Sequence, residues 1–233
     1  MLIFWDNYIV AVPTYYETER HKHAMLHILV SSEPVEVFSE NKHVAGTVVL
    51  VDQDVDHRAV LKTKNSLVIF VDPSTQAADF LREQYLKNNQ ILELNFSADL
   101  SVKDKDEAQV IEQTKHILNK LGISNSDKRI KDERIVMVMD AIKDRRFLFM
   151  TIPEIASEVS LSPSRLAHLF KQQTGMRLKN CQLMYRLKYA YQAVLNGKSL
   201  TRAAMDLGFS DSAHLSAVAK STTGLSITTF LRE

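Results

Sequence analysis

The sequence predicts an α+β chain, a small antiparallel β-barrel with trailing helices followed by an all-α region in which two copies of one helical motif are joined by a long helix. Three observations carry this reading. Short apolar, β-branched runs broken by turn residues fill the chain from Leu2 to Val71. From Thr75 onward the apolar residues recur at helical spacing. Between Thr151 and Phe230 a single pattern is stated twice, as the pairs Ala156 and Ala204, Leu166 and Leu215, and Gly175 and Gly224 show.

Taken in order, Leu2–Trp5 and Tyr8–Val12 flank Asp6-Asn7, a hairpin signal. Met25–Val30, Val35–Phe38, Thr47–Val51, Arg58–Leu61 and Leu67–Val71 follow at short spacing, which suggests a closed barrel. A helix over Thr75 to Lys87 would bury Ala78, Leu81 and Tyr85. Another, Lys105 to Leu121, carries a stripe of Val110, Ile111, Thr114, Ile117, Leu118 and Leu121. That stripe suits packing on its own barrel or pairing with a second copy of the chain. Polar Ser124 to Asp132 reads as a linker, dividing the chain into domains 1–124 and 125–233, and a helix from Glu133 to Lys143 opens the second.

Each copy of the repeat has a physical logic. Thr151 with Glu154 forms a capping box that opens a helix from Ile152 to Val159. Ser162 caps a second helix with Pro163 at its first position, where no amide donor is lost. Leu166, Leu169 and Phe170 face inward, and Gly175 can take the left-handed geometry that ends the helix. Small Ala156, and Ala204 in the second copy, let two helices cross closely. This is a helix-turn-helix, whose second helix can enter a major groove of double-stranded DNA. Ser164, Arg165, His168, Lys171 and Gln172 point outward, able to reach base edges and phosphates. Leu178 to Leu195, with Cys181, Met184, Leu187, Tyr191 and Val194 apolar and Asn196-Gly197 as its stop, is one connector helix. It would span about 27 Å at 1.5 Å per residue, against a DNA repeat of about 34 Å, so two docked units would require bent DNA or one imperfect fit.

At these residues the chain resembles the AraC/XylS family of transcription regulators. The carriers are Leu161-Ser162-Pro163-Ser164-Arg165-Leu166, Arg186-Leu187 in the connector, and Gly208-Phe209 with Asp211 and His214-Leu215-Ser216. The resemblance implies base contacts from Ser164, Arg165, Ala167 and His168, then from Ser212, Ala213, His214, Ser216 and Ala217, with Ser162 and Lys220 beside them. It also implies a cupin-like sensor barrel, an effector-responsive regulator, RNA polymerase as a partner, and pairing into a homodimer. The chain departs from the family where His168 and Ala217 replace arginine, Ala219 an aromatic, and Ile227 a proline. A lost guanidinium removes a guanine contact worth roughly 1–3 kcal/mol of discrimination, so the first unit is expected to read sequence and the second to hold backbone.

Composition fits this organisation. The net charge of +1 conceals an asymmetry: from Glu133 onward there are 14 Lys+Arg against 8 Asp+Glu, leaving 15 against 20 before it. A basic C-terminal half suits phosphate attraction. The single Cys181 excludes an internal disulfide and fits a reducing, cytoplasmic setting. No run approaches the ~20 apolar residues of a membrane span, and the N-terminus lacks the basic start of a signal peptide.

One constellation in the barrel region could be chemical. His21, His23 and His27 lie close in sequence, and His57 follows Asp52, Asp54 and Asp56. His-x-His plus a later His resembles the metal set of cupins, but the glutamate after the pair and the framing glycines are missing, Gly46 being the only glycine before Gly122. The expectation is therefore no metal and no cofactor. Trp5, His23, His27 and His57 would instead line a small-molecule effector pocket, with Phe4, Tyr15, Tyr16, Leu29 and Phe38 as further candidates. No serine–histidine–acid or phosphate-loop pattern is present, so an enzyme is not expected. Two alternatives stay open: a metal-dependent cupin-type enzyme with a helical appendage, and a regulator with weakened DNA reading that acts by pairing with another protein.

Overall fold

The computed structural model describes residues 1–5, 7–13, 16–95, 100–123, 130–223 and 227. Most of the expected linker, 124–129, and the second closing glycine, Gly224, lie outside them, as do Asp6 and Tyr15. Contacts divide the chain into two compact units, Met1–Asp127 with Ala219–Glu233, and Lys128–Val218.

Among the described residues, the first unit is built on an all-antiparallel sheet of eight strands: β1 (Leu2–Trp5), β2 (Tyr8–Ala11), β3 (Tyr16–Glu17), β4 (Leu26–Phe38), β5 (His43–Val51), β6 (Arg58–Leu61), β7 (Ser66–Val71) and β8 (Ile91–Glu93). The main path runs β1-β2-β7-β4-β5-β8, with β6 joining β4 and β3 joining β6. The path ends at β1 and at β8, so the sheet is not the closed barrel that the strand spacing suggested. Its curvature comes from β4. The runs Met25–Val30 and Val35–Phe38, expected as separate strands, are one strand bent at a bulge. Between Val30↔Val48 and Val35↔Gly46, β4 advances five residues while β5 advances two. Pro34, which has no amide to give a ladder, falls inside that bulge. Before it β4 pairs with β7, and after it with β6.

Alternation of side chains then separates two faces. Leu26, Ile28 and Val30 of β4 join Val48, Leu50, Leu67, Ile69 and Val71 in one buried cluster with Trp5 and Tyr8. Helices cover this face. Helix α1 (Gln76–Phe80), capped by Thr75, continues as a π-helical turn over Leu81–Leu86 and contributes Ala77, Ala78, Leu81 and Leu86. Tyr85, expected to be buried, is half-buried in this turn, packed against the cluster with its hydroxyl donating to the Leu121 carbonyl at 3.0 Å. Helix α2 (Glu107–Lys120) starts at a capping box, Asp106 with Gln109, and lays Val110, Ile117 and Leu118 on the cluster. Its apolar stripe is thus spent on its own sheet.

The second unit is helical: α3 (Glu133–Lys143), α4 (Ile152–Glu158), α5 (Pro163–Thr174), α6 (Leu178–Leu195), α7 (Leu200–Asp206) and the start of α8 (Ser212–Thr223). The division between units falls within α8, after Val218. Caps set the helix ends as the sequence implied. Thr151 and Glu154 form the capping box of α4, Ser162 accepts from the Arg165 amide, and Gly175 closes α5 at φ 75°. Ala156 and Ala204 are fully buried at the helix crossings.

Candidate functional site

Helix α5 buries Leu166, Leu169 and Phe170 and turns Ser162, Ser164, Arg165, His168, Lys171 and Gln172 to solvent. In α8 the same inward position is Leu215, with His214, Ala217 and Lys220 exposed and Ser212 and Ser216 half-buried. The polar atoms of the two helices are not equally available. On α8 the Ser216 hydroxyl donates to the Ser212 carbonyl at 2.8 Å, so its proton is used within the helix. The Ser210 amide donates to His214 Nδ1 at 3.2 Å, which leaves the proton of that imidazole on Nε2, facing outward as a donor. Asp211 caps the helix by accepting from the His214 amide at 2.7 Å, and that bond holds its carboxyl below the usual range. Lys220 is ion-paired with Glu19 at 2.6 Å, both within the first unit. On α5 the side chains of Arg165, His168 and Lys171 make no comparable bond among the described residues.

Helix α6 ties the two copies together through residues one turn apart. Gln182 donates to the carbonyls of Phe147 and Met150, both at 2.8 Å, just before the first copy. Arg186 donates to the Leu207 carbonyl at 2.7 Å and to that of Gly208 at 2.5 Å, at the turn of the second. Its guanidinium also lies over the Phe209 ring, 4.5 Å from the centroid. Neither anchor was assigned a role from sequence, although Arg186 belongs to a motif that carried the resemblance. An open groove of about 780 Å³ beside α5 is lined by Phe149, Pro163, Ala167, Lys179 and Arg186, among others.

On the sheet the four barrel histidines come together. His21 and His57 form an antiparallel bridge, with amide-to-carbonyl distances of 3.0 and 2.9 Å. His27 Nε2 lies 3.2 Å from His57 Nε2, and the His23 ring lies 4.4 Å from that of His27. Burial drives His23 and His27 well below the usual imidazole range, and it lowers His57 to about 4 and His21 more modestly, so all four are neutral at pH 7. Trp5 does not join them. It pairs across β1 and β2 with Tyr8, which pairs with Val71 and so lies in the row of Leu26, whereas His27 lies in the row of Phe70. The four residues expected to line one pocket therefore divide between the two faces of the sheet. Tyr15 lies outside the described residues, as does the side chain of Tyr16.

Two tandem helix-turn-helix units on one connector define a DNA-binding domain class. Residues 155–233 match the family described as "Helix-turn-helix domain". Over 105 residues, 45% of this chain and 35% of the relative, the sequence is 31% identical to the arabinose operon regulatory protein of Escherichia coli strain K12. Over 81 residues, 35% of this chain and 23% of the relative, it is 32% identical to the bifunctional transcriptional activator/DNA repair enzyme Ada of the same organism. The chain thus spans about a third or less of the length of these relatives. The fold is similar to that of apo ToxT from Vibrio cholerae, with a TM-score of 0.57 over 97% of this chain and 98% of that one at 13% identity. It is also similar to ToxT bound to (E)-4-(8-methylnaphthalen-1-yl)but-3-enoic acid, with a TM-score of 0.50 over 96% and 98% at 12% identity. Residues 155–233 thus carry a helix-turn-helix domain similar in sequence to that of the arabinose operon regulatory protein. Among the described residues, no helix is long and apolar enough to cross a membrane.

Proposed function

We propose that this chain is a sequence-specific, double-stranded-DNA-binding transcription regulator, with α5 as its main reading helix and α8 as the weaker partner. The observation that carries the reading is the exposed row of Ser164, Arg165, His168, Lys171 and Gln172 over a fully buried apolar face. Long donors on a rigid helix suit base edges, while on α8 Ser212 and Ser216 are short, the Ser216 hydroxyl is turned back on the helix, and His214 alone offers an outward ring donor. The α8 side chains supply phosphate contacts that position the domain. The N-terminal unit acts as the sensor, an assignment supported by a ToxT structure of similar fold that binds an aryl butenoic acid. RNA polymerase and a second copy of the chain are the protein partners of this reading, on the strength of the family resemblance alone. No catalytic activity is assigned.

The test is binding of the full-length protein to fragments of its source genome, followed by footprinting. Selective protection of a few fragments, with contacts in two adjacent major-groove segments, is expected. Uniform binding to all fragments, or none, would refute sequence-specific reading.

A further inference from the structure

The histidine cluster has a geometry that a pocket lining does not need. His21, His23 and His57 each place Nδ1 against a main-chain carbonyl two residues away, that of Glu19 at 2.9 Å, of Met25 at 3.0 Å and of Val55 at 3.0 Å. A carbonyl only accepts, so the ring proton of each neutral imidazole is fixed on Nδ1 and its Nε2 is left as a bare lone pair. This is the outer-shell arrangement that orients metal-ligating histidines and raises their basicity. One nitrogen from each of the three rings lies within 4.8 Å of the others. Ligand nitrogens on a tetrahedral ion at a Zn–N distance of 2.0–2.1 Å stand about 3.3 Å apart, so small side-chain rotations close the set.

Unsatisfied nitrogens point the same way. His21 Nε2 is buried without a hydrogen-bond partner, and so is His27 Nδ1. Because His57 Nε2 carries no proton, the 3.2 Å contact requires His27 to donate through its own Nε2, which explains why His27 Nδ1 is left bare. The Nε2 lone pair of His57 thus accepts from His27, and ligation by His57 displaces that bond. Buried polar atoms without partners are rare and costly, and a cation at this site would satisfy His21 Nε2. His21 and His23, the most exposed of the four at 6% and 8%, mark the side from which an ion enters. Asp56, held by Arg20 at 2.9 Å, supplies a carboxylate close to His21.

We infer that His21, His23 and His57 form a binding site for a divalent first-row transition ion of the zinc or cobalt class, with His27 packed against His57. All-nitrogen donors select such ions over magnesium or calcium. Sequence spacing argued against a metal because the glutamate was absent. The structure brings three imidazoles within reach of one ion, a ligand set that needs no glutamate. The inference is independent of DNA binding by the C-terminal units.

The experiment uses untagged full-length protein stripped with chelator and dialysed, then titrated with Co²⁺ near neutral pH and followed by visible absorption, with Zn²⁺ added last. Saturation at one Co²⁺ per chain is expected, with d–d bands of a low-coordinate nitrogen site that Zn²⁺ abolishes. His23→Gln and His57→Gln should each weaken binding by more than the roughly 10- to 100-fold that loss of an outer-shell partner costs, while His116→Gln on α2 should not. Absence of saturable binding by the wild type overturns the site, and so does binding unchanged in both cluster variants. The wild-type titration stands without the variants, so one that fails to fold leaves the test decisive.

Discussion

Arg165 and His168 project from α5 with no side-chain partner among the described residues, whereas Ser216 spends its hydroxyl on its own helix. Arg165→Ala and His168→Ala are therefore expected to change which base pairs are preferred, at roughly 1–3 kcal/mol for a lost bidentate contact. Ala217→Arg, on the exposed face of α8, should strengthen or redirect binding. Base-substitution profiles of the operator measured with each variant decide this, and equal losses across both half-sites for either helix would contradict it. Gly208 acts at the same scale through the backbone. It sits at φ +72°, and a Cβ there would lie 3.2 Å from both Arg186 Nη2 and Phe149 Cε1. Gly208→Ala should cost about 1–3 kcal/mol, visible as a lowered urea midpoint. A midpoint equal to that of the wild type would show that the turn relaxes freely.

Helices were the more legible elements because their signals are local. Glu133–Lys143 and Leu178–Leu195 were bounded correctly, the first from the end of the polar stretch before it and the second from its apolar spacing and the Asn196-Gly197 stop. Thr151→Ala should destabilise by about 1 kcal/mol, the usual worth of such a cap, as read by denaturant unfolding. Its partner Glu154 accepts from the Thr151 amide at 2.6 Å and from its hydroxyl at 2.7 Å, which holds the carboxyl below the ordinary range. A depressed folded-state pKa means that this contribution is present above the unfolded value and lost as pH falls through the folded one. The stability gap between wild type and Glu154→Ala should accordingly narrow on acidification below the ordinary glutamate range. A pH series of urea midpoints that keeps the gap constant would contradict it. The sheet was less legible. Strand β8, the bend at Pro34 and the open path from β1 to β8 depend on which distant strands pair, and no local pattern encodes that. The histidines were visible as residues. Their convergence was not, because it rests on a bridge between His21 and His57 and on three imidazole-to-carbonyl bonds.

For the whole molecule, the basic C-terminal half sets the salt response. If four phosphates are neutralised, log affinity should fall against log salt with a slope near about −3.6, a loss on the order of 100-fold between 50 and 200 mM. Lys171→Ala should flatten that slope by about 0.9. Fluorescence anisotropy across the salt series measures both, and a flat response would rule out a phosphate-driven footprint. The two anchors on α6 carry a further consequence. Because Gln182 and Arg186 lie on one face, four residues apart, the angular phase between the two reading heads is stored in a single helical turn. One residue inserted between them would rotate the second head by about 100° about the connector and advance it by about 1.5 Å. The operator would then present its second half-site to the wrong side of the protein. Half-site spacing is thus written into the register of α6, and DNA sites with altered spacing should be recovered by length changes in that helix rather than by new contacts on α5 or α8.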